Sequence, residues 1–477
     1  MQDFAPGLER AFDLVPQEGS SPIAAVSGKV PDWLRGTLYL NGPARFHRGP
    51  SRARHWLDGD GMVAALSFGD EGFTFTSRFV RSHKLVAEEE AGRFLFRAFG
   101  TRFEGDRLLR GVALASPVNV SVLPFAGRLL AFGEQGLPWE LDPTTLETRG
   151  EYTFGGRLNA VSPLSAHPKI DPATGEMWNF GISFATEQPS LTLYHFAPDG
   201  SLLYRRRHTL DLAASVHDFN LSSRYLVLHL GPYVLDVGAF LRQGASVQEA
   251  LSWQQELGSR LLIFDRSTGD FVAAVEAGRG YCLHHINAFE EGDLLAIDVV
   301  ELEEPVYPDY QPLPDLFVEV KGATPVRYLV DVDAATVRER RALPFTAAAD
   351  FPVHDPSSTG RSYTSFWMLA ISQTGRSGRK FLDQLVRGDW QRGTVEEVYR
   401  PAQGCYLAAE PTFVPKPGGD EGEGVVLVPE LDLERLETTF LVVGDGVARL
   451  PLGRAIHPCF HACFHPVPGV SLRSTPA

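Results

Sequence analysis

The chain has 477 residues, enough for a large core, and a formal net charge of -15, which excludes a nucleic-acid partner and electrostatic docking to anionic lipid, since both need a basic footprint. Four cysteines without framework spacing predict a reducing compartment and no disulfide scaffold. The first residues lack the basic and apolar regions of a signal peptide and no uncharged apolar run reaches spanning length, so the expectation is a soluble or surface-bound cytoplasmic protein.

In chain order the recurring unit is strand, tight turn, strand. Asp58-Gly59-Asp60-Gly61 reads as a hairpin turn. It fails as a calcium loop because Val63 and Gly69 stand where an EF-hand needs glycine and a bidentate glutamate. Gly72–Phe79 alternates bulky with small or polar side chains, as a half-buried strand does. Turn chemistry recurs at residues 142–145, 171–175, 198–200, 265–269 and 444–446, where glycine, Asx and proline supply hairpin geometry between β-favouring runs. Helix is scarce, with residues 247–257 and 380–386 the better candidates. No linker or break in composition divides the chain, and residues 1–477 read as one all-β domain. Hairpins over this length fit a β-propeller or a pair of large sandwiches. The propeller accounts better for the histidines, because its innermost strands all point at one axis.

Those histidines sit at separated strand ends. The pair His284-His285 lies between the apolar approach Tyr281-Cys282-Leu283 and the acidic turn at 290–293. Comparable ends occur at Ala166-His167-Pro168, Val216-His217-Asp218-Phe219 and Phe460-His461-Ala462. A lone histidine is more often a satisfied core or turn residue; four such ends able to meet point to a metal. Neutral imidazoles suit zinc, copper, iron and nickel without choosing among them, and each ring needs an acceptor on its second nitrogen. Glu134, Asp350 and Glu410 lie in or beside apolar stretches, where a carboxylate is costly unless paired, although each alone reads more readily as a surface or turn acid. The alternation His457, Cys459, His461, Cys463, His465 offers a rival Cys/His zinc site. Same-face neighbours on a strand start roughly 6.6 to 7 Å apart, so a pair can converge on a metal but five cannot.

Residues 31–38, Asn41-Gly42-Pro43 and residues 55–62, 127–134, 141–148, 166–176, 216–219 and 284–290 together resemble the carotenoid cleavage oxygenases, a family that includes stilbene-cleaving oxygenases and the retinoid isomerohydrolase. The resemblance implies a seven-bladed β-propeller under a dome of loops and short helices, with a non-haem Fe(2+) held on the axis by His167, His217, His284 and His461. His284 is preferred to His285 because the family pattern of His, two residues, Asn, Ala is met only from His284 to Asn287. Glu134, Asp350 and Glu410 would hold the ligand rings.

Three departures stand out. Asp350 replaces a usual glutamate, so its side chain is one methylene shorter and is expected to reach its histidine only through a shift or a water. Ala462 replaces a glycine after His461, and Val120 falls where many members carry a threonine. The implied reaction is cleavage of a carbon-carbon double bond of an apolar conjugated substrate, a carotenoid or apocarotenoid, by O2. Two alternatives are a stilbene-cleaving enzyme and a non-catalytic, ligand-binding propeller. Stilbene-cleaving members tend to carry a lysine beside the Glu134 motif, where this chain has Gly133. The apolar region 230–241 would either touch a membrane peripherally or pack under the dome. The sequence leaves the oligomeric state open.

Overall fold

The run Ser365–Ile371 is apolar on both faces, and it becomes a strand buried along its whole length between neighbouring sheets, as does the more mixed Ser190–Phe196. The computed structural model describes residues 2–184, 188–306 and 311–467. Seven antiparallel sheets form a ring, a seven-bladed β-propeller. Burial falls outward within a blade, and the outer strands Leu202–Thr209 and Thr336–Ala342 carry arginines into solvent.

Blade I joins distant parts of the chain. Its strands run in the order Gly19–Ile23, Gly72–Phe79, Gly61–Gly69, Gly36–Pro43 and Ala462–Pro466, with Leu38 opposite Phe464. The last of these closes the ring. Gly42 permits the closure, since a Cβ there would stand 2.5 Å from the Cys459 Cα. Blades II to VII follow in sequence, and their innermost strands are Ser121–Phe125, Lys169–Ile170, Asn220–Leu221, Tyr281–Glu291, Ala348–His354 and the split pair Cys405–Leu407 and Thr412–Pro415. The expected turns at 142–145, 171–175, 198–200, 265–269 and 444–446 each join paired strands.

Three expectations are corrected. Residues 58–61 are not a hairpin turn. Trp56–Asp58 is a short 3-10 turn, and both acids are buried: Asp58 accepts from the Gly100 N–H at 2.9 Å, while Asp60 pairs with Arg48 and with Lys84 Nζ at 3.0 Å. Residues 380–386 are not helical. Lys380 Nζ donates to the Phe317 and Gly378 carbonyls at 3.0 and 2.7 Å, and Gln384–Asp389 is drawn into blade VI. Residues 247–257 do not form one helix: Val247–Ala250 is α-helical and Gln255–Leu257 a 3-10 turn, and between them Leu251–Trp253 pairs with Tyr233–Leu235.

The dome carries one helix that periodicity misses, His83–Ala91, which has no amphipathic stripe. Ser82 Oγ caps its start by accepting from the Leu85 N–H, and Gly92 ends it at φ +64°. Its inner face is ionic. Lys84 lies 2.9 Å from Glu88, Arg48 also approaches Glu88, and all three are buried. No helix among the described residues is long and apolar enough to cross a membrane.

Burial also sets an acid limit. It pushes His55 down to about 3 and His229, His354 and His457 down to about 4. In the unfolded chain these rings take up protons near ~6.5. The folded protein keeps them neutral, so below that pH the unfolded state binds more protons. Stability is therefore expected to fall as pH drops from ~6.5 towards ~4, by up to about 1.4 kcal/mol per pH unit for each ring. Urea-unfolding midpoints at pH 7, 6 and 5 check this, and a flat profile would contradict it.

Candidate metal centre

Each blade sends one residue of the sequence-predicted set to the axis. His461 immediately precedes the closing strand of blade I, His167 stands two residues before the innermost strand of blade III, and His217 three before that of blade IV. His284 lies inside the innermost strand of blade V, where the ladder slips between Cys282 and His285. Blades II, VI and VII supply Glu134, Asp350 and Glu410. A period-2 strand turns adjacent residues to opposite faces, so His284 and His285 part company. His284 joins the group; His285 is buried with its Nδ1 lacking a hydrogen-bond partner.

One nitrogen from each of His167, His217, His284 and His461 lies within 4.8 Å of the others. The carboxylates lie behind three of the rings. His217 Nδ1 is 2.9 Å from Glu134 Oε1, His284 Nδ1 is 2.5 Å from Asp350 Oδ1, and His461 Nδ1 is 3.1 Å from Glu410 Oε1. Such contacts place the proton on Nδ1 and leave Nε2 as a lone-pair donor. Asp350 thus reaches its ring directly, without the shift or water expected of its shorter side chain. The backbone accounts for it: blade VI slips register between Asp350 and Val353, and Phe351 adopts φ +55°. The Phe351 ring then stacks on His284 at 5.4 Å and 30° and touches His461.

Electrostatics separate the rings. Burial drives His167 well below the ordinary imidazole range, and the other three imidazoles add to the effect. Burial also lowers His461, with Glu410 partly opposing it. For His284 the burial effect is outweighed by Asp350, Asp218 and Glu410, and the net direction is upward. Asp350 is raised by burial but brought below its ordinary value by His284.

Four neutral imidazoles converging in a buried place suit a late first-row transition metal, and His284 Nε2 is buried without any hydrogen-bond partner, as a ligand atom would be. The rival set does not gather. Cys459 Sγ contacts the His457 carbonyl and Cys463 Sγ the Val122 carbonyl, and the four-histidine cluster is the only such group among the described residues. All four cysteines are free.

Two features escaped the sequence reading. Asp218 and Lys169 form a buried ion pair at 2.8 Å beside the histidines; burial raises Asp218, but Lys169 and the nearby imidazoles bring it down to about 2. Their motif positions were legible, but their pairing needs two blades side by side. The second is a cavity of about 210 Å³, lined by Leu57, Phe99, Phe180, Val216, Phe240 and Leu251 and reaching Glu134.

A β-propeller whose axis gathers four histidines, three of them backed by carboxylates, defines a class of protein able to hold a metal there, and the comparisons say which. A family profile described as retinal pigment epithelial membrane protein matches residues 12–466, and the chain belongs to that family, the carotenoid cleavage oxygenases. It is 31% identical to the apocarotenoid-15,15'-oxygenase of Synechocystis over 92% of this chain and 91% of that one. It is 27% identical to an isoeugenol monooxygenase of Pseudomonas nitroreducens, over 93% and 94% of the two chains. A lignostilbene-alpha,beta-dioxygenase isozyme of Sphingomonas paucimobilis is also 27% identical, over 92% of each. Among solved structures, the cobalt-substituted Synechocystis enzyme superposes with a TM-score of 0.88 at 28% identity, covering 98% of this chain and all of that one.

Replacing Asp350 with Asn keeps the shape but removes the charge behind His284. Metal affinity is expected to fall about 10–100-fold with the fold retained. Elemental analysis after dialysis against a graded chelator series, with circular dichroism alongside, measures it.

Proposed function

We propose that the protein is an Fe(2+)-dependent dioxygenase that cleaves a carbon-carbon double bond of a carotenoid or apocarotenoid. His167, His217, His284 and His461 would hold the ion, and Glu134, Asp350 and Glu410 would orient three of the rings. The observation that carries the reading is the convergence of four imidazoles beside an apolar cavity that reaches Glu134, the carboxylate behind His217. That a relative of the same fold has been obtained cobalt-substituted is consistent with a metal in this family. The whole chain, residues 1–477, would act as one domain.

Ferrous iron supplies the redox chemistry that lets O2 react with a closed-shell alkene. The protein's own part is positional. The carboxylates keep each Nδ1–H occupied so that Nε2 faces the ligand site, and Phe351 pins two of the rings by contact. The apolar cavity wall, with Phe99, Phe180 and Phe240, excludes water and orients a conjugated chain by shape. Both atoms of O2 end as carbonyl oxygens, one on each former alkene carbon. The balance needs no separate reductant and releases no proton.

The packing around Gly133 speaks against the stilbene alternative. A Cβ there would stand 2.0 Å from Ser116 Oγ and 3.1 Å from the Val118 N, so this position has no room for a side chain that could hold a phenol. Iron-loaded protein incubated with carotenoids, apocarotenals, hydroxystilbenes and isoeugenol, with products identified by mass, is expected to yield paired carbonyl fragments from a polyene. Preferential cleavage of the phenolic alkenes would move the assignment to that branch, and no turnover despite stoichiometric iron would favour a binding protein.

We further propose that region 230–241 makes a peripheral membrane contact through which a lipid-dissolved substrate enters. Val237–Arg242 is a short helix whose Val237, Ala239 and Leu241 are only half-buried, while Phe240 reaches the cavity. Liposome flotation is expected to bring up a bound fraction that falls when Leu241 is replaced by Asp; no bound native protein would refute the contact.

A further inference from the structure

Three of the four imidazoles have a carboxylate directly behind them, and His167 does not. Its Nε2 lies 2.8 Å from His217 Nε2, so the two nitrogens face one point. If both Nε2 atoms bind a metal, no proton remains between them, and the His167 proton must sit on Nδ1. A buried N–H needs an acceptor. Among the described residues the one carboxylate paired within 4 Å of a His167 nitrogen is Asp218, whose Oδ1 stands 3.8 Å from Nδ1.

Asp218 is built into this place from three blades. It follows His217 directly. Its Oδ1 meets Lys169 Nζ of blade III at 2.8 Å and accepts from the Phe219 N–H, and its Oδ2 accepts from the His285 N–H of blade V at 2.9 Å. Lys169 is two residues beyond His167, and His285 is next to His284. One buried carboxylate therefore ties together the strand ends that carry three ligands. At 3.8 Å it is too far for a hydrogen bond in this arrangement, and a ring movement of about 1 Å closes the gap.

We propose that Asp218, anchored by Lys169, is the positioning residue for His167, accepting its Nδ1–H when Nε2 binds the metal. The proposal rests on the reading of the four histidines as the ligand set. It makes His167 the ligand whose tautomer is set on binding, whereas Glu134, Asp350 and Glu410 set the other three in advance.

The test is titration of metal-free, full-length protein with Co(2+), following the visible absorption bands of the bound ion against a competing chelator, for the native chain, Asp218→Asn, Glu134→Gln and His284→Ala. Asp218→Asn is expected to weaken binding about 10–100-fold, to a degree comparable with Glu134→Gln, and to shift the bands. Affinity within twofold of native with an unchanged spectrum would overturn the proposal. Should Asp218→Asn not fold, a crystal structure of the cobalt-loaded native protein decides. His167 Nδ1 within 3.2 Å of Asp218, or sharing one water with it, supports the proposal, and Nδ1 turned to any other acceptor overturns it. Failure of the four-histidine reading looks different: the native protein then takes up no Co(2+), or His284→Ala binds it as the native chain does.

Discussion

Everything near the axis depends on the pairing of imidazoles turned to the hub with the partly buried carboxylates behind them. Neither partner is stable there alone. A carboxylate taken out of water costs several kcal/mol unless it finds a cation or donors, and an imidazole with an unsatisfied N–H is costly for the same reason. Side by side at 2.5 to 3.1 Å they satisfy each other, and the lone pair left on each ring faces inward. The ring of blades is the scaffold that brings these partners together, because residues from blades far apart in the chain become neighbours only at the hub. The space between blades is filled largely by apolar side chains, as along Ser365–Ile371.

Much of this was legible in the residue order. Hairpin turns announce themselves through glycine, Asx and proline, so five of the six marked turns join paired strands. The histidines were visible because each interrupts an apolar strand end, and Glu134, Asp350 and Glu410 because a carboxylate in an apolar run asks for a partner. Residues 58–61 show where the reading fails. Asp58-Gly59-Asp60-Gly61 has the composition of an exposed turn, yet both acids are buried, because Arg48 and Lys84 arrive from elsewhere to pair with Asp60 and the Gly100 N–H and Thr101 hydroxyl donate to Asp58. Residues 380–386 fail for a related reason, since three backbone carbonyls capture Lys380 and a neighbouring strand captures Gln384–Asp389. Local pattern cannot register a partner supplied by another part of the fold.

Asp350 carries the same lesson at finer scale. Side-chain length alone forecast a gap at His284. The backbone removes it through a register slip and a residue at positive φ, an uncommon conformation for phenylalanine that persists only where surrounding structure holds it. The aromatic ring brought in by that distortion lies flat on the imidazole that the carboxylate holds. One irregularity in a strand therefore sets both the electrostatic and the steric support of a single ligand.

The strand Ala462–Pro466 completes a sheet begun by Gly36–Pro43, and His461 stands at its threshold. A polypeptide still being made on the ribosome has the other three imidazoles before it has this one. The residue that completes the group of four and the strand that closes the ring are therefore neighbours in the chain. An unfinished chain would offer only three of the four rings, so a metal held by all four would wait until the surrounding walls are in place.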